Sequence, residues 1–218
     1  MLRSRLTHQN LGLLAARSGS IGLAAIAGLL FATPVLAHHP SGGQTPSNAV
    51  EGFLSGVGHP VVGLDHLAFV ITAGFLAAAV GRGLSIPVGF VLASLAGTGL
   101  HLLGMDLPAP EFIISASVLL FGAILALKNR PHAVVVTALA ALAGLFHGYA
   151  YGEAIVGAEM TPLLSYLLGF TAIQAVIAVA AYWIANKLTS KNSALGLRFA
   201  GFALAGAGAA FLSGVVLG

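Results

Sequence analysis

The chain has 218 residues, 58% of them hydrophobic and 7% charged, where a soluble globular domain carries about 25% charge. With a mean hydropathy of +0.98, that balance excludes a water-soluble enzyme or binding module and predicts a membrane protein. The absence of cysteine excludes disulfides, thiolate metal sites and cysteine nucleophiles, and no P-loop, GxSxG or GxGxxG-after-strand pattern points to a nucleotide partner.

Arg3, Arg5 and Arg17 precede an apolar run from Ile21 to Phe31, then Pro34 and Val35-Leu36-Ala37. This reads as a secretory signal peptide over residues 1–37, cut before His38, with an uncleaved anchor helix as the competing reading. Removing three of nine basic residues leaves six against six acids. The net charge of +3 therefore carries no indication of nucleic acid. Residues 38–48 are a Gly/Pro/Ser-rich stretch within an external segment, 38–58, and residues 49–57 can form a short amphipathic or re-entrant helix. Six apolar segments follow, at about 60–80, 84–104, 111–128, 132–150, 161–186 and 194–217, each near the ~20 residues that cross ~30 Å of hydrocarbon. The fold class expected is all-α, a polytopic bundle of six transmembrane helices after the signal peptide. Pro60, Pro110, Pro131 and Pro162 stand at or just before segment starts, where a missing N–H is harmless.

With the mature N-terminus outside, Arg82, Lys128, Arg130, Lys187, Lys191 and Arg198 all fall in or beside inner loops, as the positive-inside rule requires. Asp106, Glu111, Glu153 and Glu159 fall outside, and both ends of the mature chain face the periplasm of a bacterial inner membrane. Gly201, Ala205, Gly206, Gly208, Ala209 and Ala210 give the last segment small-residue faces for close helix contact, and self-association into a homo-oligomer stays open.

Asp65 and His66 are ionisable residues placed side by side within the first apolar segment, although one such group at a bilayer centre costs roughly 2.5–3.5 kcal/mol. Pro60 places His59 just outside that helix. In a regular helix His59 and His66, seven residues apart, share a face about 10 Å apart along the axis. His101, with Met105 and Asp106 beyond it, and His147, with Glu153 beyond it, come to the same outer depth, whereas His132 falls on the inner side. Imidazole and carboxylate without thiolate suit nickel, cobalt or zinc, and iron or copper less decisively. Each residue also has a plainer reading. His101 and His147 can be buried histidines bonded to backbone, Asp65–His66 a polar clamp, and Glu153 and Glu159 loop-solvating groups. Gln174 reads as a hydrogen-bonding tie between helices in preference to a ligand, and His38-His39 as a weak terminal site or the tail of the processing region.

His59-Pro60-Val61-Val62-Gly63-Leu64-Asp65-His66 resembles the HPxxGxDH signature of the HupE/UreJ family, and Phe146-His147-Gly148-Tyr149-Ala150 resembles the start of its FHGxAHGxE signature. Tyr151 stands where that pattern has its second histidine, and Glu153 comes one residue before its acid. The resemblance implies a signal peptide with six spans and nickel or cobalt uptake for hydrogenase and urease. It implies ion-binding roles for His59, Asp65, His66 and His147, with Glu153 in addition. His101 is added from its depth alone.

The expected function is thus an inner-membrane permease for a divalent ion, captured at the acidic outer loops, partly dehydrated at His59, Asp65 and His66, and released inside. Its partners are the lipid bilayer and the metal ion. Two rivals remain: an intramembrane metal-dependent hydrolase using Ser94 or Ser55 beside the histidines, and a non-catalytic membrane subunit serving metalloenzyme assembly.

Overall fold

The computed structural model describes residues 45–81, 83–189 and 194–218. The signal peptide expected over residues 1–37, His38-His39, Arg82 and Lys191 lie outside these residues. Seven helices and no strand occur among the described residues: α1 (Ala49–Val62), α2 (Leu64–Val80), α3 (Ser85–Leu102), α4 (Pro110–Ala126), α5 (Ala133–Glu153), α6 (Met160–Thr189) and α7 (Ala194–Leu217). Helices α3, α5, α6 and α7 are each long and apolar enough to cross a membrane, and the bent pair α1–α2 makes a fifth span if counted as one. Helix α4 is apolar but has 17 residues, about 25 Å at 1.5 Å per residue.

The first segment departs from expectation. Helix α1 starts at Ala49, where Asn48 Oδ1 accepts from the Glu51 N–H (3.0 Å) and Glu51 Oε2 accepts from the Ser47 N–H (2.8 Å). The first bond satisfies a donor that the first turn leaves exposed, and the second ties the residue before the cap to that turn. The helix then runs through Pro60 instead of beginning there, and ends at Val62. Pro60 supplies no N–H to the turn before it, but only two residues follow, so little helix is lost. The break comes at Gly63, whose backbone is extended (φ −69°, ψ 97°), and α2 leaves at 78° to α1. His59 is therefore in the last turn of α1 and His66 in the first turn of α2, not seven positions apart on one rod. Of the other prolines, Pro110 opens α4, Pro131 lies two residues before α5, and Pro162 lies in the first turn of α6.

Helix α2 is the axis of the bundle and contacts each of the other six helices. The most extensive pairings are α3 with α5, α4 with α7, and α1 with α6, all set by missing side chains. A Cβ at Gly148 would run into the Ser94 backbone, one at Gly56 into the Tyr166 carbonyl, and one at Gly208 into the Leu119 backbone. Such approaches let helices associate without a hydrophobic driving force between them. Gly201 also packs closely, against Ala126 and Gly122, whereas Gly206 meets nothing among the described residues. Three buried hydroxyls bond carbonyls of their own helices: Thr72 donates to Ala68 O (2.6 Å), Ser94 to Phe90 O (2.9 Å) and Ser117 to Ile114 O (2.6 Å). Arg130 and Arg198 cap the end of α4, donating to Leu125 O and Ala126 O at 2.9 Å each. His132 caps α5, its Nδ1 accepting from the Val134 N–H (3.4 Å).

Candidate functional site: a buried histidine cluster

Three helix ends bring His59, His66 and His147 together. All three are buried, at 1%, 0% and 0% exposure. The bend at Gly63 turns the two imidazoles of α1 and α2 toward each other, with ring centres 5.7 Å apart, and the His66 ring lies 4.9 Å from that of His147. Tyr151 completes the group, its ring 4.6 Å from His66 and 5.0 Å from His59. Sequence reasoning placed Tyr151 only as a departure from a motif. Its position four residues after His147 on α5, about 40° around the helix, is the signal that it shares the histidine's face.

With the Ser117 and Tyr166 protons placed on backbone carbonyls, the hydrogen bonds assign the ring protons. Ser117 donates its only proton to Ile114 O, so its oxygen accepts from His147 Nε2 (3.0 Å). His147 Nδ1 is then unprotonated in the neutral ring and accepts from His66 Nδ1–H across 2.7 Å. Tyr166 likewise donates to Tyr151 O (2.8 Å), so it accepts from His59 Nδ1–H (2.9 Å). In both His59 and His66 the lone pair is therefore on Nε2, the tautomer a metal ion takes, fixed by the partner of the other nitrogen. In His147 both nitrogens are engaged, so its place here is to orient His66. Neither Ser117 nor Tyr166 stood out in the sequence, because a serine in an apolar run usually bonds its own helix and a tyrosine there reads as apolar bulk with one polar tip.

Below His147 the surroundings become apolar. Phe69 and Phe90 lie with ring centres 4.7 and 5.3 Å from it, and Phe121 packs 4.6 Å from Phe69. Asp65, beside His66 in the chain, also lines a cavity of about 330 Å³ together with Glu111, Glu153 and apolar residues. Asp65 is half-buried, and its Oδ1 accepts from the His66 backbone N–H (2.8 Å). Glu111 and Glu153 are exposed.

His101 does not join the cluster. Its ring packs on Tyr149 (4.4 Å), and Tyr149, two residues from His147, lies about 200° around α5. Gln174 is fully buried, yet neither end of its amide has a partner among the described residues; it is not the interhelical tie expected. Ser94 is occupied with Phe90 O, and Ser55 Oγ is buried without a partner among the described residues. Among the described residues no three His, Asp or Glu side chains are disposed around one point as metal ligands would be. Instead His66 bonds His147, His59 bonds Tyr166, and Asp65 bonds the His66 backbone.

Comparison with known proteins adds a further finding. A family model described as HupE / UreJ protein matches residues 25–211. Over 166 residues the chain is 31% identical to Protein HupE of Rhizobium leguminosarum bv. viciae, a match covering 75% of this chain and 86% of that protein. No solved structure matches.

Proposed function

The chain belongs to the HupE/UreJ family, and from that premise we propose that it is a multi-pass permease carrying a divalent transition-metal ion, nickel or cobalt, into the bacterial cytoplasm. In this reading α1 and α2 together with the short α4 complete six crossings, and both ends of the mature chain face outward. The observation that carries the proposal is the convergence of His59, His66 and His147, buried side chains from three helices, into one cluster. Two of these imidazoles hold their lone pairs on Nε2, and Asp65, beside His66 in the chain, lines a cavity bearing three carboxyl groups.

The steps follow from the residues. Asp65, Glu111 and Glu153 attract the hydrated cation from the outer side. Asp65 releases the His66 N–H and replaces one water of the ion, and His66 and His59 replace others through Nε2. His147 and Ser117 hold His66 in the receptive tautomer, and Tyr166 does the same for His59. Loading costs Asp65 its bond to the His66 N–H while the Nδ1 bonds of His59 and His66 stay in place, and with few donors the ion is held loosely enough to leave. An inside-negative potential supplies about 2.3 kcal/mol per charge per 100 mV, or about 4.6 kcal/mol for a dication. No ATP-hydrolysing domain is required.

The test is metal accumulation by cells expressing the chain, across nickel, cobalt, zinc, copper and iron. Wild type should raise intracellular nickel or cobalt, and His66→Ala and Asp65→Asn should abolish the rise at equal membrane abundance. Accumulation by both variants at the wild-type rate would overturn the reading.

A further inference from the structure

Two directions lead inward from the histidine cluster, and they differ in chemistry. Under His147 lies the layer of Phe69, Phe90 and Phe121, which offers an ion nothing but ring faces and edges. Under Tyr151 and Tyr166 lies Phe170, with ring centres 5.3 and 5.7 Å from theirs. One helical turn further along α6, about 6 Å by helix geometry, is Gln174. Its side chain is fully buried, and neither its Oε1 nor its Nε2 has a hydrogen-bond partner among the described residues. The next turn closes tightly, since a Cβ at Gly74 of α2 would lie 2.5 Å from Ala178 O.

A buried amide bonded at neither end is among the least tolerated groups in a hydrocarbon-surrounded bundle. Leucine or methionine would fill the same volume without that penalty. The neighbouring hydroxyls show the usual solution, because Thr72 and Ser94 each bond a carbonyl of their own helix. Gln174 has no such bond, so its amide is matched to something that is there only at times.

We propose that Gln174 is a second station for the transported cation, on the cytoplasmic side of the histidines. Its Oε1 takes the ion, or the water the ion retains, after His59 and His66 release it. The ligand is a partly hydrated divalent cation, and the amide is a neutral oxygen donor that binds it more weakly than imidazole does. This inference rests on the permease reading and adds to it a direction: the ion leaves past Phe170, not through the phenylalanine layer.

The experiment compares wild type with Gln174→Leu, Gln174→Met and Gln174→Asn, purified and reconstituted into liposomes with an inside-negative potential. Nickel uptake, equilibrium nickel binding and thermal unfolding are measured on each. The two apolar variants should bind nickel as wild type does and melt at the same or a higher temperature. Their initial uptake should fall about tenfold, the scale of one lost buried polar contact, and Gln174→Asn should recover part of it. Should one apolar variant fail to fold, the other carries the comparison. Wild-type uptake in Gln174→Leu or Gln174→Met would overturn the second station and leave the permease standing. Joint loss of binding and thermal stability would also overturn it, by making Gln174 a structural residue. Wild-type protein that moves no metal would overturn the permease reading, and this one with it.

Discussion

His66 and His147 share a proton across 2.7 Å, and Ser117 decides which ring owns it. Because the serine proton is directed to Ile114 O, His147 must donate from Nε2 and accept at Nδ1. His66 then holds its proton on Nδ1 and its lone pair on Nε2. A residue on α4 thereby sets the chemistry of a residue on α2 through one on α5.

Ser117→Ala removes the acceptor that holds His147 in this tautomer. Loss of such an outer partner typically lowers metal affinity 10–100-fold. The half-saturating metal concentration for uptake should rise on that scale, with membrane abundance unchanged, and a titration of uptake against nickel measures it.

Tyr166→Phe deletes the group that bonds both His59 Nδ1 and Tyr151 O. Leaving buried polar groups unsatisfied costs about 1–3 kcal/mol. Thermal unfolding of the purified protein in detergent should shift down, and uptake should fall with it as His59 loses its fixed proton.

Gly63→Ala is the smallest change that reaches the cluster. A Cβ there would lie 2.6 Å from His66 Cδ2 and 3.2 Å from His59 O. The backbone angles at Gly63, φ −69° and ψ 97°, are open to alanine, so the effect is a displaced imidazole, not a strained turn. Uptake should drop while helical content, read by far-ultraviolet circular dichroism, stays at the wild-type level.

Glu111→Gln combined with Glu153→Gln removes two exposed charges from the cavity rim. Such charges act by raising the local cation concentration and are screened by salt. The double variant should need more metal for half-maximal uptake at low ionic strength, approach wild type as salt is raised, and keep the same maximal rate.

Much of this arrangement was legible in the sequence. The eight residues from His59 to His66 singled out two histidines that the structure brings together, and the all-helical membrane fold followed from apolar segments with punctuation at Pro110, Pro131 and Pro162. Two features were not legible, for different reasons. Pro60 looked like a helix start because proline is tolerated there, but tolerance also extends to a helix end, and Gly63 made the break two residues beyond Val61. His101 matched the others in depth, but depth along the membrane normal leaves the direction around a helix undetermined. The spacing within α5 resolves that direction, since Tyr151 turns toward His66 whereas Tyr149 turns toward His101. The proton assignments needed Ser117 and Tyr166, whose sequence surroundings are those of ordinary buried hydroxyl residues.

Nickel-edge X-ray absorption on the purified, nickel-loaded protein addresses the ion's donors most directly. Nε2 ligation by the first-helix and second-helix imidazoles predicts clear imidazole scattering in wild type, weakened in His59→Ala and again in His66→Ala. A shell made only of oxygen donors, or one unchanged by either substitution, would contradict it.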